Sequence, residues 1–221
     1  MKKNVLKKAL GLAFVFALSC AFVSCNRDKD ATSTSYPVTG GEEDTGTALK
    51  AASGWWVNMM ESDVKVDSAS VVTLKFTVDD VIGTDNWSTP DIYLLTQTTG
   101  EDGTLAWTSD VACVRSDNFG FLGAYNSLDN NDVLGWTLES AWDWDNFLSI
   151  IEGSEYVVKI YNKGDTVDVC MTITAADGTE YFQNYKNISL SDADNLYVRI
   201  SGDAGAWTGT FYGTESASLA N

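Results

Sequence analysis

The feature that most constrains this chain is a two-residue alternation that returns four times. Val72, Leu74, Phe76 and Val78 alternate with Thr73, Lys75 and Thr77, and the pattern recurs at Tyr156, Val158 and Ile160. It appears again at Val167, Val169, Met171 and Ile173, and at Leu196, Val198 and Ile200. Successive strand side chains point to opposite faces, so each run describes a strand with one apolar and one polar side. Asn162-Lys-Gly164, Asp177-Gly178 and Gly202-Asp203 supply turn chemistry around these runs, and Asp-Gly between two strand-like runs is a strong hairpin signal. Only residues 145–152 have helical character. Alternating strands, short turns and one short helix predict an all-β protein, an antiparallel β-sandwich of jelly-roll type.

The chain has 221 residues, enough for one such domain once a leader and a linker are set aside. Residues 1–25 have the layout of an export signal, with a basic start and an apolar run over residues 9–23 that is too short to span a bilayer. Phe22-Val23-Ser24-Cys25 resembles the lipobox of bacterial lipoproteins, although Phe22 departs from the aliphatic residue usual there. The resemblance implies that Cys25 is diacylated and becomes the first residue, placing the protein in a bacterial cell envelope, at the surface or in the periplasm. Ala17-Leu18-Ser19-Cys20 is a competing site, and an ordinary secretory signal is the alternative. Residues 26–53, rich in Asp, Thr, Ser, Gly and Glu, predict a flexible linker. The folded β-sandwich domain is expected over residues 54–213, with a disordered tail over 214–221.

Charge and composition exclude several functions. The formal net charge is −17, and removing Lys2, Lys3, Lys7 and Lys8 with the leader takes it to −21. So acidic a surface repels phosphate backbones, which argues against nucleic acid as a partner, and only the lipid anchor ties the protein to a membrane. The chain contains no histidine. That removes a Ser-His-Asp triad, a His-ligated zinc and a His-activated thiol. Two carboxylates could still hydrolyse a glycoside, but Glu61-Ser-Asp63 only begins the Glu-x-Asp-x-x-Glu strand of many sandwich-fold glucanases. No cofactor is expected. Structural calcium is one reading of Asp129-Asn-Asn-Asp132 and of Asp79, Asp80 and Asp85; turn formation is the other.

The polar faces of the strands are candidate binding surfaces. Arg115, Asp168, Thr172, Tyr197 and Arg199 belong to outward sets, which reads either as a shallow ligand platform or as a solvated face with cross-strand ion pairs. Cys113 and Cys170 fall in the same sets. In an oxidising compartment they form one disulfide or remain two thiols. Cys113-Val-Arg-Ser-Asp-Asn-Phe-Gly120 runs from strand into turn, and offers Arg115, Asp117 and Asn118 as polar contacts beside an aromatic.

All eight tryptophans lie beyond the linker. Trp87, beside Asn86, and Trp107 have loop-like neighbours, and Trp136 follows the acidic turn at 129–132. Such rings suit stacking on pyranoses, or anchor loops onto the sandwich. Trp55-Trp56, Asp85-Asn86-Trp87, Val114-Arg-Ser-Asp-Asn-Phe-Gly120, Trp144-Asp-Asn-Phe147, Gly164-Asp-Thr-Val-Asp168 and Ala176-Asp-Gly-Thr179 resemble, in that order, secreted bacterial β-sandwich modules that accompany polysaccharide-degrading enzymes or stand on lipoproteins. The resemblance implies a non-catalytic carbohydrate-binding module. The residue chemistry then nominates Asn86, Trp87, Trp107, Arg115, Asp117, Asn118 and Trp136 as ligand contacts in a lipid-anchored monomer that captures polysaccharide or oligosaccharide. The rivals are a sandwich-fold glycoside hydrolase or lyase using two acids, and a structural or adhesive surface lipoprotein.

Overall fold

The computed structural model describes residues 46–50, 57–84, 88–96, 111–116, 120–122, 126–127, 131–134, 144–203 and 205–219. In chain order the strands are Thr47–Leu49 (β1), Val57–Asn58 (β2), Val64–Val66 (β3), Ser70–Val81 (β4), Asp91–Leu95 (β5), Val111–Arg115 (β6) and Gly120–Leu122 (β7). Asn126–Ser127 (β8) and Asn131–Leu134 (β9) precede a helix, Trp144–Ile151 (α1). Glu155–Asn162 (β10), Val167–Thr174 (β11), Glu180–Ile188 (β12), Leu196–Gly202 (β13) and Trp207–Ser218 (β14) complete the described elements, with a single 3-10 turn at Ala193–Asn195.

The strands form two antiparallel sheets. The first has the order β1-β14-β4-β10-β11-β12-β9, and the second β2-β13-β5-β6-β7-β8, with β3 also pairing with β13. β10-β11-β12 and β5-β6-β7-β8 run consecutively, but β4 lies between β14 and β10, and β13 between β2 and β5, so those neighbours in space are distant in sequence. That crossing connectivity makes the protein a jelly-roll sandwich, as the alternation predicts. α1 matches the expected helix to within one residue at each end.

The core is built by the residues that the period of two assigns to it. Val72, Leu74, Phe76 and Val78 face Tyr156, Val158 and Ile160 across β4 and β10, and all are buried. Val167, Val169, Met171 and Ile173 extend that layer, while Leu196, Val198 and Ile200 cover it from the second sheet. Phe76 stacks on Tyr156 with centroids 4.7 Å apart and planes at 17°, adding to the area buried. Trp207 is also buried in this core.

The Asp177-Gly178 signal is a hairpin joining β11 to β12. Gly178 has φ +84, a left-handed value that glycine adopts without strain. The Thr179 N–H donates to Asp177 Oδ1 at 2.9 Å, and this backbone bond is the main reason that the Asp177 carboxyl is held below its ordinary range.

Both domain boundaries shift. β1 lies within the expected linker and pairs with β14, Thr47 opposite Phe211 and Leu49 opposite Gly209. β14 continues to Ser218, opposite Ser70, so residues 214–218 are strand and not tail. The polar composition at both ends conceals these segments, because an edge strand can be held by ladder hydrogen bonds with little apolar alternation.

Candidate ligand-binding site

The polar sets expected to face outward divide between the two sheets. Asp168 and Thr172 lie on β11 of the first sheet, whereas Arg115, Tyr197 and Arg199 lie on β6 and β13 of the second. They cannot make one platform. Asp168 is buried at a break in the β11–β12 register, where it accepts the Asn187 N–H at 2.8 Å and pairs with Lys163 at 2.6 Å.

On the second sheet the outer side is dry over two cross-strand rows, whereas Tyr197 is half-buried and Lys65 opposite it is exposed. Ser201, Asp91 and Arg115 form one cross-strand row, and Arg199, Tyr93 and Cys113 the next. Arg115 is only 2% exposed, and Arg199 and Tyr93 are fully buried. Arg115 is therefore a buried ion beside Asp91 and not a solvent-facing ligand contact. Burial raises the Tyr93 hydroxyl far above the ordinary phenol range, with Cys113 and Asp91 adding to the effect and Arg115 opposing it. Alternation identified this face correctly; its burial follows from tertiary packing, to which the pattern is blind.

The cysteines are likewise separated. Cys113 carries a thiol outside any disulfide, buried in the second sheet, while Cys170 lies on the first. The bridge considered between Cys113 and Cys170 is not made, because their strands belong to different layers.

β6 ends in a braced position. Gln183 and Tyr185 occupy core-facing positions on β12, opposite Met171 and Val169, and both reach the second sheet. Gln183 Nε2 donates to the Ser116 carbonyl, Tyr185 Oη to the Arg115 carbonyl at 3.3 Å, and Ser116 Oγ to the Pro90 carbonyl at 2.8 Å. Val114 pairs with Gly120, so the chain between them is a short β6–β7 connection. Polar side chains spent inside a core are costly unless bonded, and here they fix the base of that connection. Asp117 and Asn118 belong to it, but they lie outside the described residues, as do Asn86, Trp87, Trp107, Trp136 and the lipidation candidate Cys25.

A second braced segment was not anticipated. The Met60 N–H donates to Asn58 Oδ1 at 2.9 Å, and Asn58 Nδ2 donates to Asp63 Oδ1 at 3.2 Å. Arg199 then grips Asp63 bidentately, Nε to Oδ1 at 2.9 Å and Nη2 to Oδ2 at 2.7 Å. This turn forms one wall of a cleft of about 190 Å³ between the edges of the two sheets. Met60 and Phe211 supply apolar lining; Thr47, Glu61, Ser62 and Thr214 supply polar lining. The only sequence signal was Glu61-Ser-Asp63, where Asp63 proves to be the brace and Glu61 the cleft residue.

Of the calcium candidates, Asp79 accepts hydroxyl hydrogens from Thr77 at 2.6 Å and Thr210 at 2.7 Å, and Asp132 lies in β9 opposite Asn184. Asp85 and Asp129 lie outside the described residues, among which no group of three or more potential ligands converges. Among those residues no helix is long and apolar enough to cross a membrane.

Neither a protein-family model nor a curated protein matches this sequence. Among solved structures, the chain is similar to the SPRY domain of human HERC1, at 15% identity over 76% of this chain and 89% of that one, with a TM-score of 0.41. It is also similar to the metal-free form of lectin I-B4 from Griffonia simplicifolia, at 13% identity over 78% and 91% and a TM-score of 0.40. A third is lectin II from Ulex europaeus, at 14% identity over 78% and 91% and a TM-score of 0.36. These likenesses concern fold alone.

Proposed function

We propose that this protein is a non-catalytic, glycan-binding β-sandwich, tethered through Cys25 in a bacterial cell envelope, that holds polysaccharide with loop aromatics and polar groups. The observation carrying this reading is the braced β6–β7 connection. Gln183 and Tyr185 cross from one sheet to hold the carbonyls of Ser116 and Arg115 in the other, directly before Asp117, Asn118 and Phe119. A carboxylate, an amide and an aromatic that follow directly on a braced strand end suit recognition of hydroxyls and an apolar ring face. Asn86, Trp87, Trp107 and Trp136 are the further contacts in this reading, and Arg115 acts as a buried positioning group.

Three of the described acids are already engaged within the fold, which supports binding over hydrolysis. Asp63 is gripped by Arg199, Asp168 by Lys163, and Asp79 by two threonine hydroxyls. Two-carboxylate hydrolysis needs a pair facing one substrate. Affinity electrophoresis against β-glucans, xylans and mannans tests the proposal. Retardation by at least one polymer is expected, weakened by Trp87→Ala, Trp107→Ala, Trp136→Ala or Asn118→Ala. Mobility unchanged in every gel rejects glycan binding; release of reducing sugar rejects the non-catalytic reading.

A further inference from the structure

We propose that the lateral cleft is a separate binding site for one neutral pyranose unit. The ligand class rests on the glycan-binding reading above, whereas the site is independent of the loops invoked there. β1 and β14 border the cleft on the first sheet, and the turn before β3 borders it on the second. The β6–β7 connection is held from β12, toward the other end of both strand orders.

Both walls are built in advance of any ligand. On one side, Arg199 and Asn58 lock the turn that carries Glu61 and Ser62, and the Ile200 N–H donates to Met60 Sδ at 3.1 Å. On the other, the register of β14 against β4 jumps from Phe211–Phe76 to Gly213–Lys75, leaving Tyr212 as the extra residue of a bulge. Gly213 has φ +112, and a Cβ there would meet nothing within 4 Å. Conformation and not space therefore calls for glycine, and the bulge re-aims the strand beside Thr214 while the cleft stays open. Fixed walls lower the entropy lost when a small ligand is held.

Size and chemistry set the ligand. At about 190 Å³ the cleft is smaller than the roughly 300–1,000 Å³ of drug-sized pockets, so it takes a single small unit. Phe211 and Met60 offer an apolar surface to a ring face, while Glu61, Ser62, Thr47 and Thr214 offer acceptors and donors to hydroxyls. Among the described lining residues Glu61 is the one charged group. A lone carboxylate without a cation selects against anionic sugars, and one acid without a second binds a glycoside without cleaving it.

NMR titration of the isotope-labelled protein with methyl glycosides of glucose, galactose, mannose and xylose, and with methyl glucuronide, tests this. At least one neutral glycoside should shift the Glu61, Ser62 and Thr214 amides saturably, with the glucuronide roughly fivefold weaker or worse. Glu61→Gln and Ser62→Ala, both at exposed positions, should each weaken the response by roughly fivefold. Silence of these amides with all neutral glycosides, or an equal response to glucuronide, overturns the site. If polysaccharide is retarded through the loop residues while the cleft amides stay silent, the cleft falls and the proposed function stands. Cleft shifts without retardation by any polysaccharide support the cleft and reject the loop reading.

Discussion

The outer sides of the two sheets share an alternating strand grammar, but an ion pair on one and two cross-strand rows on the other meet opposite surroundings. On the first sheet, Lys75 and Glu215 form an ion pair with side chains 47% and 69% exposed, the ordinary solvated face of a sandwich. On the second, Arg199, Tyr93, Asp91, Cys113 and Arg115 occupy equivalent outward positions and are buried. The same residue classes therefore do different physical work. A surface pair is screened by water and contributes little, whereas a buried guanidinium must keep its partner or the fold is penalised.

The largest effect should come from breaking the dry side. Arg199→Ala leaves Asp63 with an uncompensated charge in a part-buried site and frees the turn at residues 58–63; a loss of about 3–5 kcal/mol is expected in urea unfolding. A loss under about 1 kcal/mol would place Arg199 with Lys75, and the contrast between the faces would fail.

Alkaline titration sharpens the comparison next. The folded protein holds the Tyr93 phenol protonated, while the unfolded chain releases that proton near pH 10. Its contribution is therefore fully present below pH 10 and is lost as pH rises above it. Between pH 10 and 11 the loss is about 1 kcal/mol, because the unfolded phenol is half ionised at pH 10; it approaches about 1.4 kcal/mol per pH unit above that. Tyr93→Phe should flatten the decline by that amount in denaturant midpoints across this range. Tyr161, half-buried on the first sheet, is also raised, by burial and then by Asp168, so Tyr161→Phe should flatten it less.

Tyr185→Phe removes one strut from the base of the β6–β7 connection. A cost of about 1 kcal/mol is expected, with faster amide exchange at Arg115 and Ser116. Unchanged exchange would make the strut incidental. The smallest effect belongs to the wet side: Glu215→Ala should cost about 0–1 kcal/mol and lose even that in high salt.

Much of the scaffold was legible in the chain. Residues 72–78, 156–160, 167–173 and 196–200 disclosed their core faces, and Asp177-Gly178 its hairpin, because these depend on pleat and backbone conformation within a few residues. The site was less legible. Arg115 and Arg199 carry identical signals in sequence whether wet or dry, and Gln183 and Tyr185 give no local sign that they cross the core. The cleft joins Glu61 to Phe211 and Thr214, about 150 residues later in the chain.

By itself, then, the sequence determined the class of fold, the inward set of each recognised strand and the absence of histidine chemistry, all consequences of side-chain period and composition. Only the tertiary structure decided which outward face is dry, that Cys113 and Cys170 lie in different layers, that β1 and the end of β14 are strands, and where an open cleft remains. Those outcomes depend on what packs against a face from far along the chain, and no local pattern records that neighbour.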